Sequence, residues 1–465
     1  MFLGLENVDA NRLAAVDDSG ERLMYGELRQ RADAFAAAIS SRSLVFLLSA
    51  NTIKSLVAYV GCLSHRIVPL ILSAKTDPIL VEELKSRYRP DFVFNDGELV
   101  EGGAAVYPPS EASSEGGAMR GVRALPERLH TDLALLLPTS GSTGSPKLVR
   151  HSYRNIEANA ENVKNLFGLT ADERAMAVLP MHYTMGLSVI TSHLKAGATL
   201  ILSGRSLLDV AFWKMMKDER ATSFTGVPYS YELLMKLRFT RMDLPDLKTI
   251  TQGGGKLTPE MFAALADYAA KTGKRFIATY GQSECTARMA YLPAELAQKK
   301  TCSIGIAEPG GELSIIDENG TETFEGEATG EMVYRGENVT MGYARCVEDL
   351  AKGDENRGVR RTGDLVRRDA DGCYYIVGRL GRFLKIFGLR IGLDEVEGLV
   401  KAQFGVDCVC AGTDQMLTVT VAKCGISAAV IDFIEGKTHL FRKNIEVKEV
   451  DAIKRNEAGK VVLYG

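Results

Sequence analysis

Short apolar runs alternate with amphipathic stretches along the chain from about residue 130. Each run has the length of a buried strand, and the stretches between the runs repeat apolar positions at the helical period. Because strands that are apolar on both faces are typical of parallel sheets, the pattern predicts βα units that build one buried parallel sheet. The predicted strands are 133–137, 175–179, 199–202, 222–227, 247–251 and 275–279.

One helix between these strands can be predicted in detail. Thr258 suits the N-cap, Pro259 suits the first helical position, and Gly273 suits the C-terminal stop. The apolar positions between them should face the sheet. These positions are Phe262, Leu265, Ala266 and Ala269.

The regions on either side of this segment have different textures. A weaker alternation of helical and strand patterns before residue 95 predicts a second α/β unit, and residues 101–126 have the composition of an exposed connector. Short strands and glycine turns follow residue 310. We therefore expect an α/β fold with a large N-terminal region of parallel-rich sheets flanked by helices, residues 1–380, and a small mobile α+β domain, residues 381–465.

Composition narrows the class of protein. The chain has 465 residues, of which 46% are hydrophobic and 25% charged, and the net charge is −3. This profile predicts a soluble protein of two or more units without the basic field that nucleic acid requires. The eight cysteines form no C-x-x-C pair, and neither a signal peptide nor an apolar run long enough for a membrane span is visible. We expect reduced thiols and a cytoplasmic location.

Polar and glycine-rich clusters follow five of the predicted strands. The clusters are 139–147, 180–186, 228–231, 253–256 and 280–284. Ligands of parallel α/β sheets bind outside the carboxyl ends of the strands, so five such clusters predict one shared site. The first cluster, TSGSTGSPK, combines flexible glycines, hydroxyl donors and a lysine, as a phosphate-binding loop requires. It does not fit the G-x-x-x-x-G-K-[ST] pattern of nucleoside triphosphatases.

Further motifs follow this loop in a fixed order. They are YGQSE at 280–284, TGE at 329–331 with RGENVTMGY after it, RTGDL at 361–365, GRLGRFLKIFGLRI at 378–391 and NEAGK at 456–460. Together with TSGSTGSPK, they make nearly the whole chain resemble the acyl-adenylate-forming ligases. This family includes acyl-CoA synthetases, peptide-synthetase adenylation domains, D-alanine carrier-protein ligases and luciferases.

The resemblance implies a two-step reaction that uses ATP and Mg²⁺. A carboxylic acid becomes acyl-AMP with release of pyrophosphate, and the acyl group then passes to the thiol of CoA or of carrier-protein phosphopantetheine. Lys147, Glu284 and Lys460 are implied as catalytic residues, with Glu284 also as the Mg²⁺ ligand. The resemblance implies a nucleotide site at Thr139, Ser140, Gly141, Ser142, Thr143, Gly144, Gly253, Gly254, Gly255, Tyr280, Gly281, Gln282, Ser283, Asp364 and Arg379.

The acid pocket is implied at Tyr183, Met185, Gly186 and Tyr229. Amino-acid-activating members carry an aspartate where Gly186 stands, so we expect an acid without a free α-amino group, either fatty or aryl. No histidine stands at the positions where the family carries its histidines. His151 and His182 lie one or two positions away from them, and their roles stay open. Arg288 either forms a structural ion pair or faces a polar group of the acid.

Two other functions remain open on the sequence. One is an amino-acid-activating carrier-protein ligase, and the other is a nucleotide-binding protein without ligase activity. Against the second stands the joint presence of Lys147, Glu284, Asp364 and Lys460. The expected partners are a small carboxylic acid and, for one of the two thiols, a separate carrier protein. The identity of the acid is not readable from the sequence.

Overall fold

A computed structural model of the chain describes residues 1–95, 97–101, 128–138, 147–386, 389–413, 415–438, 440–455 and 461. The predicted connector at 101–126 therefore lies, apart from its first residue, outside the described residues. Across the part of the chain that is described, no helix is both long and apolar enough to cross a membrane.

The described residues form ten α-helices and 26 strands. The helices are α1 Tyr25–Ala37, α2 Ile53–Ser64, α3 Pro78–Tyr88, α4 Tyr153–Phe167, α5 Thr184–Lys195, α6 Val210–Asp218, α7 Pro228–Lys236, α8 Pro259–Thr272, α9 Leu393–Phe404 and α10 Ser427–Thr438. The strands are β1 Leu13–Asp17, β2 Arg22–Met24, β3 Leu44–Ser49, β4 Val68–Ser73, β5 Phe92–Asn95, β6 Glu98–Glu101, β7 Leu133–Pro138, β8 Leu148–Ser152, β9 Arg174–Ala177, β10 Thr199–Leu202, β11 Ser223–Gly226, β12 Thr249–Gln252, β13 Arg275–Tyr280, β14 Ala290–Tyr291, β15 Ile306–Ala307, β16 Gly311–Ile316, β17 Glu322–Thr323, β18 Ala328–Gly336, β19 Tyr343–Ala344, β20 Val359–Arg368, β21 Tyr374–Arg379, β22 Phe383–Ile386, β23 Leu389–Gly392, β24 Cys408–Thr413, β25 Met416–Val421 and β26 Ile445–Glu449.

Two large sheets with parallel centres organise the first 344 residues. The nine-stranded sheet has the order β15-β14-β13-β12-β11-β9-β10-β1-β2, and the seven-stranded sheet has the order β19-β8-β7-β4-β3-β5-β6. The strands from β13 to β1 pair in parallel, as do β5, β3, β4 and β7. The prediction of parallel-rich sheets flanked by helices is therefore confirmed.

The prediction of a single sheet for all six apolar runs is wrong. The strand β7 that precedes the TSGSTGSPK cluster belongs to the seven-stranded sheet, where it pairs in parallel with β4 and antiparallel with β8. The other five runs form β9 to β13 of the nine-stranded sheet. Both sheets are built from equally apolar strands, so burial patterns along the chain could not distinguish them.

Helix α8 begins and ends where the sequence predicted. The side chain of Thr258 accepts a hydrogen bond from the backbone N–H of Met261 at 3.2 Å, and Gly273 closes the helix in the left-handed conformation with φ of +66°. The predicted apolar face is buried against the nine-stranded sheet with Phe276 of β13. This packing fixes the level at which β12 and β13 end.

The chain after residue 310 forms smaller sheets. An antiparallel sheet has the order β17-β16-β18-β20-β21, and the strands β20 and β21 carry residues of the candidate site. Beyond it, a two-stranded and a three-stranded sheet accompany α9 and α10, and their buried side chains form one hydrophobic cluster from Leu384 to Ile445. The division into residues 1–380 and 381–465 stays a prediction.

Candidate functional site

Four of the five polar clusters lie at one edge of the nine-stranded sheet. They follow β9, β11, β12 and β13, whose parallel pairing brings their carboxyl ends to the same side. The fifth cluster follows β7 of the other sheet, and its residues Thr139, Ser140, Gly141, Ser142, Thr143 and Gly144 lie outside the described residues, as does Lys460. For these seven residues the site assignment stays a prediction.

Asp364 is the centre of a dense hydrogen-bonded cluster. It lies on β20 and is 5% exposed. One carboxylate oxygen accepts from Nε of Arg379 at 2.8 Å, and the other accepts from the Tyr280 hydroxyl and from the Gln282 amide, the latter at 3.0 Å. Burial, followed by the charge of Asp364, raises the pKa of Tyr280 well above its usual range. The Tyr280 phenol therefore stays protonated and donates to this carboxylate.

Gln282 connects this cluster to the next one. Its side-chain amide donates to the carbonyl oxygen of Thr362 at 2.9 Å, and its side-chain oxygen accepts from Nε of Arg360 at 3.3 Å. A β-carbon built on the neighbouring Gly281 would collide with the carbonyl group of Ala287. The YGQSE segment therefore needs glycine at position 281, and this close approach places Gln282 between β13 and β20.

Glu284 contacts a tyrosine and an arginine, and a lysine packs against that tyrosine. Its Oε1 accepts a hydrogen bond from the Tyr343 hydroxyl and lies 3.8 Å from Nη2 of Arg360. Nζ of Lys147 lies 4.6 Å from the centre of the Tyr343 ring. Thr340 donates from its backbone N–H and from its hydroxyl to the Glu284 carbonyl oxygen, both at 3.0 Å. Tyr343 therefore contacts both groups, the carboxylate through its hydroxyl and the lysine through its ring.

The predicted acid pocket is only partly formed as expected. Tyr183 and Met185 pack beside the glycines that follow β12, since a β-carbon built on Gly253 would lie 2.7 Å from Sδ of Met185, and one on Gly254 would collide with the Tyr183 hydroxyl. Burial raises the pKa of Tyr183 to about 12. Tyr229, in contrast, is 45% exposed on the first turn of α7. The wall therefore consists of Tyr183 and Met185 against glycine backbone.

Gly186 has a packing reason of its own. A β-carbon at this position would lie 2.6 Å from the Leu179 carbonyl oxygen and even closer to that of Pro180. Any side chain would therefore push α5 away from the segment that follows β9. This close approach by itself accounts for the absence of an aspartate at position 186, and the assignment of Gly186 to the acid pocket stays a prediction.

His151 holds the segment that follows YGQSE. It is fully buried on β8, and its Nδ1 lies 3.2 Å from Oγ1 of Thr286. Because the Thr286 hydroxyl donates to the carbonyl oxygen of Asn338, the histidine must be the donor. Burial lowers the pKa of His151 to about 3, so the ring is neutral at pH 7. This geometry gives His151 a structural role.

Sequence reasoning missed two residues of the site, Tyr343 and Arg360. Tyr343 is the last residue of RGENVTMGY, and Arg360 stands directly before RTGDL. An aromatic or cationic residue beside a motif is too common to be singled out. Their contacts with Glu284 join three separate stretches of the chain, and only the packing of β19 and β20 shows them.

A pH test concerns Glu308, a carboxyl that is 1% exposed close to the site. Its Oε1 accepts from Asn338 at 2.7 Å and from Tyr334 at 3.0 Å, whereas burial raises its pKa from 4.5 to about 8. Between these values the folded state keeps a proton that the unfolded state has lost. The contribution of Glu308 to stability should therefore fall as the pH rises between these values, by about 1.4 kcal/mol per pH unit.

We expect Glu308→Gln to remove this dependence. The variant should gain stability over the parent protein at pH 8 and show little gain at pH 5, as measured by the midpoint of urea unfolding at both values. Glu312→Gln, at an exposed position of β16, is the control and should change neither midpoint. An equal effect of Glu308→Gln at both pH values would show that this carboxyl ionises normally in the folded state.

Comparison with known proteins gives the site its context. The chain is 30% identical over 339 residues to indoleacetate–CoA ligase of Aromatoleum aromaticum (70% of this chain) and 31% identical over 274 residues to oxalate–CoA ligase of Arabidopsis thaliana (58% of this chain). These alignments span 65% and 52% of the relatives' own lengths, so the chain covers little more than half to two thirds of them.

The fold is also similar to that of a solved enzyme. O-succinylbenzoate coenzyme A synthetase of Bacillus subtilis, in complex with AMP, superimposes with a TM-score of 0.77 over 98% of this chain and 95% of that chain, at 19% identity. This similarity confirms the fold class. The model of the AMP-binding enzyme family matches residues 6–344, well over half of the chain. The protein therefore belongs to the family of AMP-binding enzymes.

Proposed function

We propose that the protein is an AMP-forming acid–thiol ligase that activates a carboxylic acid with ATP and transfers the acyl group to CoA. The observation that carries this proposal is the continuous contact from Asp364 through Gln282 and Arg360 to Glu284. One end of this line suits a ribose, and the other suits phosphates with a cation. A nucleoside triphosphate carries its ribose and its cation-binding phosphates in the same order.

The ribose end is built to accept hydroxyl protons. Asp364 is a buried carboxylate whose present donors are Tyr280, Gln282 and Arg379. Ribose hydroxyls can replace two of these donors on the carboxylate, because an ionised aspartate offers several acceptor sites. Arg379 then stays paired with the aspartate, and the Tyr280 ring provides a flat face for the base.

The phosphate end combines a carboxylate with cationic side chains. Glu284 fits Mg²⁺, which is usually held by one or two protein carboxylates together with phosphate oxygens and water. When bound, Mg²⁺ supplies positive charge to the phosphates of ATP. Arg360 lies beside this carboxylate, Lys147 lies over the ring of Tyr343, and both cations would neutralise further phosphate charge. With the predicted loop residues and Lys460, these groups would hold the triphosphate during attack.

The reaction proceeds in two steps, formation of acyl-AMP and transfer of the acyl group to the thiol. A carboxylate oxygen attacks the α-phosphorus, and the bond from that phosphorus to the bridging oxygen breaks, so pyrophosphate leaves with the electron pair. The thiol loses its proton, its sulfur attacks the acyl carbon, and AMP leaves with the electrons of the acyl–oxygen bond. We propose CoA as the thiol because both curated relatives are named CoA ligases; carrier-protein phosphopantetheine would require a separate partner protein.

The two steps need different surroundings, and we propose that residues 381–465 move between them as a unit. Gly381 stands at this boundary with φ of +87°, in the left-handed region that glycine adopts without strain. Large changes of backbone angle at one residue are typical of domain hinges. We also propose a cytoplasmic location, since all eight cysteines are free thiols, as in proteins of reducing compartments.

Asp364→Ala tests the ribose end. We expect KM for ATP to rise by about 10- to 100-fold with a smaller change in KM for the acid, because a hydrogen bond to a charged group is worth about 1.5–3 kcal/mol. The measurement is acid-dependent ATP–pyrophosphate exchange. As a control, Asp317→Ala removes an exposed-turn aspartate after β16 and should leave both constants unchanged. An unchanged KM for ATP in Asp364→Ala would place the ribose elsewhere.

A further inference from the structure

Arg288 carries buried N–H groups without an acceptor. The residue is 2% exposed, and its Nη1 donates to the Ser188 hydroxyl at 2.8 Å. Among the described residues, neither Nε nor Nη2 of this guanidinium has a hydrogen-bond partner. A buried cation with unpaired donors is strongly unfavourable in a protein interior, so these atoms indicate an acceptor that the described residues do not place within hydrogen-bond distance.

Asn159, which contacts the same Ser188 hydroxyl as Arg288, also has an unpaired donor. The Ser188 hydroxyl donates to Oδ1 of Asn159 at 2.9 Å, which leaves the Asn159 amide nitrogen facing other groups. Asn159 is 1% exposed, and within the described part of the chain its Nδ2 has no partner. Three unpaired N–H-bearing nitrogens therefore surround Ser188. Donors grouped in this way around a positive charge suit a carboxylate or sulfonate.

Glu308 attracts Arg288 without neutralising it. The two side chains interact electrostatically, but no hydrogen bond or ion pair joins them among the described contacts. Oε1 of Glu308 accepts from Tyr334 and Asn338, and its Oε2 has no partner among the described residues. Burial raises the pKa of Glu308 to about 8, so most of this carboxyl is uncharged at pH 7. The pKa of Arg288, lowered to about 10 by burial, keeps the arginine cationic.

Helix α5 relates this cation to the nucleotide site. Oγ1 of Thr184, at the start of α5, lies 2.8 Å from the Ser283 hydroxyl in the YGQSE segment. Ser188, which contacts Arg288, stands one turn further along the same helix, or about 5.4 Å along its axis. Arg288 is also close enough to Tyr183 for its charge to favour the ionised phenol. Arg288 therefore contacts α5 about one helical turn beyond the residue of that helix that contacts Ser283.

We propose that Arg288 and Asn159 form a subsite for a second anionic group of the acid, so that the substrate carries a carboxylate or sulfonate away from its reacting carboxylate. This inference rests on the proposed ligase function and specifies its substrate class. It also gives a direct reason for excluding a free α-amino group near the subsite, because a buried guanidinium repels an ammonium group. The ring of Phe167 packs against the guanidinium group, with its centre 5.2 Å from the guanidinium carbon.

The test compares acids that differ only in the second charge. Succinate, glutarate and adipate are each paired with the corresponding monomethyl ester, and 3-sulfopropionate represents the sulfonates, in ATP–pyrophosphate exchange with the full chain. We expect at least one dianion to exceed its monoanionic ester by about 100-fold in kcat/KM, mainly through KM, because truncating one partner of a buried charge pair is strongly unfavourable. Equal or better use of the esters and of plain monocarboxylates would overturn the proposal.

Two variants assign the effect to this subsite. Arg288→Met keeps the length of the side chain and removes the charge, and it should bring the ratio of dianion to ester close to one while exchange with the ester persists. Asn159→Asp preserves volume, introduces a carboxylate that competes for Arg288, and should weaken the dianions selectively. Arg368→Met is the matched control, since Arg368 is equally buried but its donors bond to Gly326, Glu325 and Tyr374.

Binding measured without catalysis separates this inference from the proposed function. The dianion that binds best should raise the thermal unfolding midpoint of the parent protein and have no such effect on Arg288→Met. If this protection occurs but no acid supports exchange, the ligase proposal fails and the subsite is supported. If exchange occurs with monocarboxylates and the dianions neither react nor protect, the ligase proposal is supported and the subsite is wrong. An unchanged dianion preference in both variants also contradicts the subsite.

Discussion

Glu284→Gln is expected to lower the maximal rate of acid-dependent ATP–pyrophosphate exchange by about 100- to 1,000-fold, the range seen when one preorganised electrostatic contact of a transition state is lost. The amide keeps the volume of the side chain and can still bond to Tyr343, so the fold should be retained. The negative charge that suits Mg²⁺ disappears, and the Mg²⁺ concentration for half-maximal rate should rise.

The control for this variant is Glu337→Gln. Glu337 is a half-exposed glutamate that pairs with Arg154 at the surface, and its loss should leave exchange unchanged. Both variants are assayed over a range of Mg²⁺ concentrations, with circular dichroism as a check of folding. Normal exchange by Glu284→Gln with an unaltered Mg²⁺ dependence would mean that the metal is held by other groups and that Glu284 only orients Tyr343.

Lys460→Ala is expected to reduce acyl-AMP formation to a comparable or greater extent. The assignment of this lysine rests on the NEAGK segment and its resemblance to the family's terminal motif, and the residue lies outside the described part of the chain. A cation that reaches both the α-phosphate and the acid carboxylate stabilises charge where the new bond forms, so its loss should lower the rate of this step.

Lys448→Ala provides the comparison, because this lysine is exposed on β26 and lies twelve residues before Lys460 in the sequence. Both variants should unfold at nearly the same urea concentration as the parent protein, since surface substitutions usually change stability by no more than about 0.5 kcal/mol. Pyrophosphate exchange that survives Lys460→Ala at near-normal rate would remove the terminal lysine from the mechanism and leave Lys147 and Arg360 as the phosphate-neutralising cations.

Local features of the fold could be predicted because they depend on neighbours in sequence. Helix α8 is defined by Thr258, Pro259 and Gly273 together with a 3.6-residue apolar repeat, and all of these act within one stretch of chain. The strands β9 to β13 were visible for the same reason, since a run buried on both faces is apolar throughout. The sheet to which β7 belongs was not predictable, because strand pairing depends on distant residues that carry the same apolar pattern.

In the candidate site, too, some features depend on residues that are close in sequence and others on residues that are distant. By itself the sequence identified the residue types that the chemistry needs, such as Asp364 in RTGDL and Glu284 in YGQSE, and these motifs led to the correct family. Each motif is a short segment that acts on one group of the ligand, so its function can be inferred from the sequence alone. Which motif touches which could not be deduced, and this was decided by the packing of β13 against the strands that follow it in the chain.

Only the tertiary structure decided the environments of single side chains. Gly186 suggested a substrate preference in the sequence, but in the fold it is a close approach of α5 to the carbonyl groups of Leu179 and Pro180. Arg288 left two interpretations open until burial and hydrogen bonds showed unpaired donors beside Ser188 and Asn159. Burial, desolvation and hydrogen-bond satisfaction depend on groups that are distant in sequence, so the residue type and its neighbours along the chain cannot determine them.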